Sequence, residues 1–208
     1  MKVLMINGSP KENGSTATAL GEIAKILKDE GIESRIFNIG SSVVRDCIGC
    51  GACRKNGGKC VFDDDCVNEF IELSKEYDGF IFGTPVYYAH PSGMVLSFLD
   101  RVFYAGSAFF AHKPAAAIAC ARRAGATASL DVLNKYITIS QMPLVSSTYW
   151  NGVYGRKADE VLQDEEGRQT LENLARNMAW LLKCIKSGAD NQITPPENPK
   201  VKRTNFIR

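Results

Sequence analysis

Two hydrophobic patterns alternate along the chain, and they predict strands and helices in turn. Short apolar runs predict five strands, at residues 3–6, 34–38, 79–83, 115–121 and 143–147. Apolar residues at helical spacing predict helices between and after them, at residues 15–30, 66–75, 93–103, 127–138 and 159–187. Regular alternation of this kind indicates an α/β protein whose parallel sheet carries helices on both faces.

Five strands in such a sheet favour the order 2-1-3-4-5, which defines the flavodoxin-like three-layer sandwich and places ligands outside the carboxyl ends of the strands. No internal repeat or linker appears before residue 190, so we expect one flavodoxin-like domain over residues 1–190. Residues 191–208 contain three prolines and no periodicity, and they are predicted to form an extended C-terminal tail.

Composition and charge narrow the class of protein. The 208 residues are 45% hydrophobic and 23% charged, as in a soluble globular domain. A formal charge of +2 argues against nucleic acid or an anionic membrane as a partner. No apolar run approaches the roughly 18 residues of a membrane-spanning helix, and the first apolar run leads straight into a turn, unlike a signal peptide. We therefore expect a cytoplasmic protein.

The loop after the first predicted strand is rich in small polar residues. Such a loop can aim backbone N–H groups and hydroxyls at one point, and the next helix adds the positive end of its dipole. A phosphate is the natural ligand, although the P-loop and dinucleotide glycine patterns are both absent. The candidate ligands are Ser9, Lys11, Asn13, Ser15 and Thr16. The alternative is an ordinary loop in which Ser15 caps the helix.

Two further loops are predicted at the same edge of the sheet. After the third strand, a segment stiffened by proline offers a surface for a flat ring, or else its tyrosines cover the sheet edge. The candidates there are Pro85, Val86, Tyr87 and Tyr88. After the fourth strand come Ala121, Arg122 and Arg123, whose N–H groups and charges suit a negatively charged ligand, unless the arginines form surface ion pairs.

These three loops resemble those of the NADPH-dependent FMN reductase family. The resemblance rests on residues 8–11 with 15–16, on residues 84–88 and on residues 98–101, and it runs in order over about residues 1–190. It implies noncovalent FMN and a homodimer or homotetramer. It also implies electron transfer from NAD(P)H to a small-molecule acceptor such as a quinone, free flavin, an azo compound or a metal. Lys11 stands where the family often has Arg, and residues 122–125 depart from a glycine-rich turn.

Five of the seven cysteines lie between residues 47 and 66. Cysteines at i, i+3 and i+6 with a fourth nearby can supply the four thiolates of a [4Fe–4S] cluster, whereas structural zinc sites use separated pairs. The candidate ligands are Cys47, Cys50, Cys53 and Cys60. The alternatives are a disulfide-forming or a purely structural set. The other three cysteines are predicted to be packing residues: Cys66, Cys120 and Cys184.

Within the family, this loop most resembles that of the iron-sulfur flavoproteins, in residues 50–53 and 60–65. No nucleophile or general acid–base arrangement accompanies either histidine, so no catalytic side chain is predicted. Asp63, Asp64 and Asp65 are interpreted as a helix-capping cluster. Residues 149–151 are predicted to cover the flavin or to pack at an interface.

The sequence leaves three candidate functions. The first is an NAD(P)H-dependent FMN oxidoreductase of flavin or quinone reductase type, in which FMN accepts a hydride and then reduces a second substrate. The second is an iron-sulfur flavoprotein electron carrier that exchanges electrons with a ferredoxin-like partner. The third is a flavin-binding protein without enzymatic activity.

Overall fold

The computed structural model describes residues 1–198, and residues 199–208 lie outside the described part. The described strands are β1 (Lys2–Asn7), β2 (Glu33–Asn38), β3 (Gly79–Tyr87), β4 (His90–Pro91), β5 (Ala115–Ala121) and β6 (Gly152–Tyr154). The described α-helices are α1 (Ser15–Asp29), α2 (Val67–Ser74), α3 (Gly93–Gly106), α4 (Ala126–Ile139), α5 (Ala158–Val161) and α6 (Glu165–Asp190). Short 3-10 helices lie at Ala52–Arg54 and Ser107–Phe109.

Five strands form a parallel sheet in the order β2-β1-β3-β5-β6. This confirms the predicted flavodoxin-like order, with the last strand named β6 here. The sixth strand, β4, pairs antiparallel with the end of β3. The carboxyl ends of β1, β3 and β5 therefore meet at one edge of the sheet.

Side chains of the central strands alternate between two apolar layers. In β1, Leu4 and Ile6 pack with α2, α3 and α4, whereas Val3 and Met5 pack with α1 and α6. The same period of two continues in β3 and β5. Both faces of these strands are buried along most of their length, which is why β1, β3 and β5 contain continuous apolar runs in the sequence.

The fifth predicted strand was misplaced. Within residues 143–147, Leu144 forms a single bridge to Ala115, and the regular pairing with β5 occurs at β6 instead. Between the two, the side-chain amide of Asn151 donates to the backbone carbonyl of Ala117 at 3.0 Å, and the backbone carbonyl of Asn151 accepts from the N–H of Ala119 at 3.0 Å. A side chain thus takes the place of a backbone donor in this interrupted edge strand.

Two other predicted boundaries change. The single helix predicted at residues 159–187 is two helices, because the Asp164 side chain accepts from the N–H of Gly167 at 2.9 Å and starts α6 anew. Residues 191–198 contain no helix or strand, and the rest of the predicted tail, with Pro199, lies outside the described residues. Within residues 1–198, no helix combines the length and apolar character needed to cross a membrane.

Candidate functional site

A cleft of about 450 Å³ opens at the carboxyl ends of β1, β3 and β5. It is lined by residues of the three predicted loops and by a fourth segment that was not predicted. The lining residues are Ser9, Lys11, Asn13, Gly14, Ser15, Thr16, Pro85, Val86, Tyr87, Cys120, Arg122, Gly155, Arg156, Lys157 and Ala158. The cleft falls in the size range of small-molecule and cofactor sites.

The first loop is held in shape by Asn7 and Gly8. The buried Asn7 side chain donates to the carbonyl of Lys11 at 3.2 Å and accepts from the N–H of Ser9 at 3.2 Å. Gly8 donates to the carbonyl of Gly83 at 2.8 Å, and a Cβ at Gly8 would lie 2.6 Å from that oxygen. Only glycine allows β1 and β3 to approach this closely where the loop begins.

The start of α1 presents unsatisfied N–H groups to the cleft. Gly14, not Ser15, is the N-cap residue, and no side chain caps the helix. The Ser15 hydroxyl instead donates to the carbonyl of Gly155 at 3.4 Å. The first-turn amides have no intrahelical acceptor, so this helix end is a ready anion site.

The wall of the cleft after β3 is a tight hairpin. Its two-residue loop, Tyr88 and Ala89, has φ values of 49° and 64°, a pair typical of a type I′ turn and strained for residues other than glycine. Gly125, at φ 94°, lies beneath it, and a Cβ there would come within 2.4 Å of the Ala89 Cα. The hairpin is therefore seated against the start of α4.

Nine of the twelve predicted cofactor-binding residues line this one cleft. The other three do not line it. Tyr88 is fully exposed at the tip of the hairpin, Ala121 is buried and packs with the layer of α2, α3 and α4, and Arg123 is exposed beside Arg122. The alternation of side chains along β5 explains Ala121, because it faces away from Cys120, which does line the cleft.

The segment 155–158 lines the cleft without having been predicted to do so. It follows β6 directly, so the misplaced last strand hid its position at the ligand edge of the sheet. Arg156 and Lys157 are the two cations that it adds to the cleft. The adjacent basic residues after the last strand were the sequence feature that could have indicated this part of the cleft.

The cleft is strongly cationic. Lys11, Arg122, Arg156 and Lys157 line it, and none of the four forms an ion pair with any residue in the described range 1–198. No carboxylate or histidine of that range lines it. Burial raises the pKa of the Cys120 thiol to about 12, against an opposing hydrogen bond with Thr16, so Cys120 is a neutral thiol at physiological pH.

The four candidate cluster ligands line a second, smaller cavity, the cysteine cavity. Cys47, Cys50, Cys53 and Cys60 share it with Arg101 and with apolar groups. All seven cysteines are free thiols, and Cys184 is exposed rather than packed as predicted. Cys66 does not line this cavity, and burial, reinforced by the charge of Asp65, raises the pKa of its thiol to about 11.

The donor set suits a cluster, whereas the space inside the cysteine cavity is limited. In residues 1–198, no three His, Cys, Asp or Glu side chains are arranged around a single metal ion. A four-iron cluster needs one thiolate on each iron, and four thiols without a competing carboxylate provide that set. The cavity measures only about 20 Å³, so the loop would have to widen around a cluster.

Two of the three aspartates before α2 join the end of the cysteine loop to the helices. Asp65 accepts from the N–H of Val67 at 3.1 Å and pairs with Arg101, and Asp63 accepts from the Asn68 amide at 3.0 Å. Burial alone would lower the pKa of Arg101, but its hydrogen bonds to Asp65 and Cys60 raise that pKa overall, and it remains a cation.

The profile of the NADPH-dependent FMN reductase family matches residues 1–155. The chain belongs to this family. It is an FMN-binding oxidoreductase with a flavodoxin-like fold.

Individual relatives agree with this assignment. An iron-sulfur flavoprotein of Methanocaldococcus jannaschii is 29% identical over 194 residues, covering 89% of this chain and all of the relative. An iron-sulfur flavoprotein of Methanosarcina thermophila is 27% identical over 195 residues, covering 91% of this chain and all of that protein. The crystal structure of RosB with a bound 8-demethyl-8-formylriboflavin-5'-phosphate has a TM-score of 0.65 at 14% identity, covering all of this chain and 92% of RosB, and it shows the shared fold.

Proposed function

We propose that the cleft binds FMN with its phosphate at the first loop and the start of α1, and that NAD(P)H reduces the bound flavin. The observation that carries the proposal is the combination of uncapped first-turn amides with four cationic side chains that form no ion pair within residues 1–198. A phosphate group would satisfy both. RosB, with the same fold, binds a riboflavin 5'-phosphate derivative, which supports the assignment.

Each wall of the cleft has a distinct task in this proposal. Ser9 in the first loop and Thr16 in the first turn of α1 are buried polar residues that line the cleft, and Lys11 adds a charge. Pro85, Val86 and Tyr87 form the wall against which a flat ring would lie. Arg122, at the end of β5, would stabilise negative charge on the ring.

The chemistry needs no acid or base from the protein. When bound, FMN supplies a ring that accepts a hydride and passes electrons to a second substrate. The cleft residues would hold the ring and tune its electrostatic environment. Cys120 stays protonated at the cleft wall, so it does not compete as a nucleophile.

Anaerobic reduction of the FMN-loaded protein tests the NAD(P)H proposal. We expect NADPH or NADH to bleach the visible flavin absorption, and a quinone to restore it, with the ping-pong kinetics of a two-step carrier. Dithionite serves as the control that the bound flavin is reducible. Bleaching by dithionite but by neither nucleotide would contradict NAD(P)H as donor while leaving FMN binding intact.

A second function is favoured by the cysteine cavity: an iron-sulfur flavoprotein that exchanges electrons with a ferredoxin-like protein. Four thiols that line one cavity without a carboxylate support it, as does the similarity to two iron-sulfur flavoproteins. Iron and acid-labile sulfide measurements after anaerobic purification test the cluster. Reduction of bound FMN by reduced ferredoxin, and not by NADPH or NADH, would favour this function over the first.

We further propose that the protein assembles as a homodimer or homotetramer. Tyr149, Trp150 and Tyr154 are large side chains that stay 44–62% exposed near the cleft end of the sheet, and an assembly would bury such a surface. Light scattering on the FMN-loaded protein, as it elutes from a size-exclusion column, gives the mass of the assembly directly. A monomer at micromolar concentration would contradict the proposal.

A further inference from the structure

One buried cation joins the cysteine loop to α3. The side chain of Arg101 has no solvent exposure, and that of its partner Asp65 is 2% exposed. Its Nε donates to the Cys60 sulfur at 3.2 Å, and its Nη2 donates to the carbonyl of Phe62 at 3.0 Å. The Nη1 atom donates to the carbonyl of Arg45 at 3.3 Å and to Asp65.

Through these bonds the Arg101 guanidinium group contacts both ends of the cysteine-containing loop. Arg45 lies before the first cysteine of the loop, whereas Cys60 and Phe62 lie at its far end. Stability alone is a poor explanation for such an arrangement, because a well-packed apolar group usually stabilises a core as well as a buried ion pair does. The direct contact between the Arg101 Nε–H and the Cys60 sulfur indicates instead that Arg101 acts on the electrostatic environment of that sulfur.

We infer that Arg101 is a positioning residue that raises the reduction potential of a cluster bound by Cys47, Cys50, Cys53 and Cys60. This inference rests on the proposed cluster. Hydrogen bonds to the ligating sulfurs and the net charge near a cluster are among the factors that set its potential. A cation held against one ligand sulfur stabilises the more negative, reduced state.

Asp65 makes the direction of the effect testable. Its carboxylate partly neutralises Arg101, so Asp65 should lower the potential that Arg101 raises. Replacing Asp65 by Asn removes the negative charge and keeps an oxygen that can accept from Nη1. Replacing Arg101 by Lys keeps a charge but loses the planar fork and the Nε donor to Cys60.

The experiment is an anaerobic redox titration of the FMN-loaded, cluster-containing protein, followed by the electron paramagnetic resonance signal of the reduced cluster. For Arg101→Lys we expect the one-electron reduction equilibrium to move about tenfold toward the oxidised state, which is 59 mV. For Asp65→Asn we expect a shift in the opposite direction. The flavin couple in the same sample is the internal reference, since Arg101 does not line the FMN cleft.

The matched control is Arg45→Ala. It removes a half-exposed cation from the same loop, one that pairs with Asp64 and makes no side-chain bond to a cysteine. Its potential should stay near that of the wild type. If Arg101 had only a structural role, Arg101→Lys and Asp65→Asn would both loosen the loop and shift the cluster potential in the same direction. That result would overturn the inference.

The remaining outcomes also test the inference. If Arg101→Lys loses its cluster, Asp65→Asn carries the test alone, and an unchanged potential there overturns the inference. A wild-type protein that binds FMN but contains no iron or sulfide overturns both the cluster proposal and this one. A cluster present with no shift in either variant overturns this inference and leaves the cluster standing.

Discussion

The FMN cleft and the cysteine cavity use positive charge in opposite ways. In the cleft, four cations line a shared space without an ion pair inside residues 1–198. At the cysteine cavity, Arg101 is buried and its donors are taken by the loop, a carboxylate and a sulfur. Unsatisfied charge at a surface is available to a ligand, whereas satisfied buried charge shapes the protein around it.

The difference predicts which measurement each cation should affect. Removing a cleft cation should change ligand affinity and leave the free energy of unfolding nearly unchanged. Removing Arg101 should do the reverse, because it leaves the buried Asp65 carboxylate without its cationic partner. Two experiments test this contrast directly, and two further experiments test the packing of the cleft walls.

The largest effect is expected for Arg101→Met. Breaking a buried ion pair by removing one partner costs about 3–5 kcal/mol. Urea unfolding of the FMN-free protein gives the change in the free energy of unfolding. Arg45→Ala, which breaks the exposed pair with Asp64, should change that energy little, and equal losses in the two variants would contradict the assignment of Arg101 to the core.

A smaller loss, in affinity rather than stability, is expected when Arg156 and Lys157 are both replaced by Ala. Hydrogen bonds to a charged group contribute about 1.5–3 kcal/mol, so FMN binding should weaken by at least tenfold in a fluorescence titration. Riboflavin, which lacks the phosphate, should bind the variant and the wild type alike.

The charge-matched control for that pair is the replacement of Arg176 and Lys183 on α6, outside the cleft, by Ala. It removes the same charge from the protein. If this control weakens FMN binding as much, long-range charge rather than the 155–158 segment explains the effect.

Gly125→Ala should lower the free energy of unfolding by about 1–2 kcal/mol. Its φ of 94° and the 2.4 Å approach to Ala89 force either the backbone or the β3–β4 hairpin to move. Gly21→Ala in α1 meets no atom within 4 Å and should stabilise the protein by about 0.5–1 kcal/mol. Thermal unfolding compares the two, and a stabilised Gly125 variant would show that the hairpin is not seated there.

The smallest effect is expected for alkylation of the Cys120 thiol. Because burial raises its pKa to about 12, the reactive thiolate is scarce at pH 8 and increases only as the pH approaches that value. Iodoacetamide at pH 8 should therefore modify the exposed Cys184 and spare Cys120 in the FMN-free protein, as peptide mass spectrometry would reveal. Prompt modification of Cys120 would mean that the cleft is more open than described.

Prediction from the sequence succeeds best where burial constrains every residue. The strands β1, β3 and β5 are apolar on both faces, and parallel topology then brings the loops that follow them to one edge. This is why nine of the twelve predicted residues meet in one cleft. The prediction failed at the edge, where β6 has three residues and Asn151 completes the pairing with a side chain.

The role of Arg101 could not be read from the sequence for a different reason. Its contact with Cys60 spans 41 positions along the chain and depends on how an irregular loop folds back onto α3. Hydrophobic periodicity carries no information about such a contact. The family resemblance included residues 98–101 but assigned no task to them.

The broken edge of the sheet also limits pairing with other sheets. A long, regular edge strand offers a row of free backbone groups on which a second chain can extend the sheet. Here β6 is three residues long, and the N–H of Tyr154 already donates to the Asp164 carboxylate at 2.8 Å. The same irregularity that concealed the last strand therefore works against aggregation through this edge.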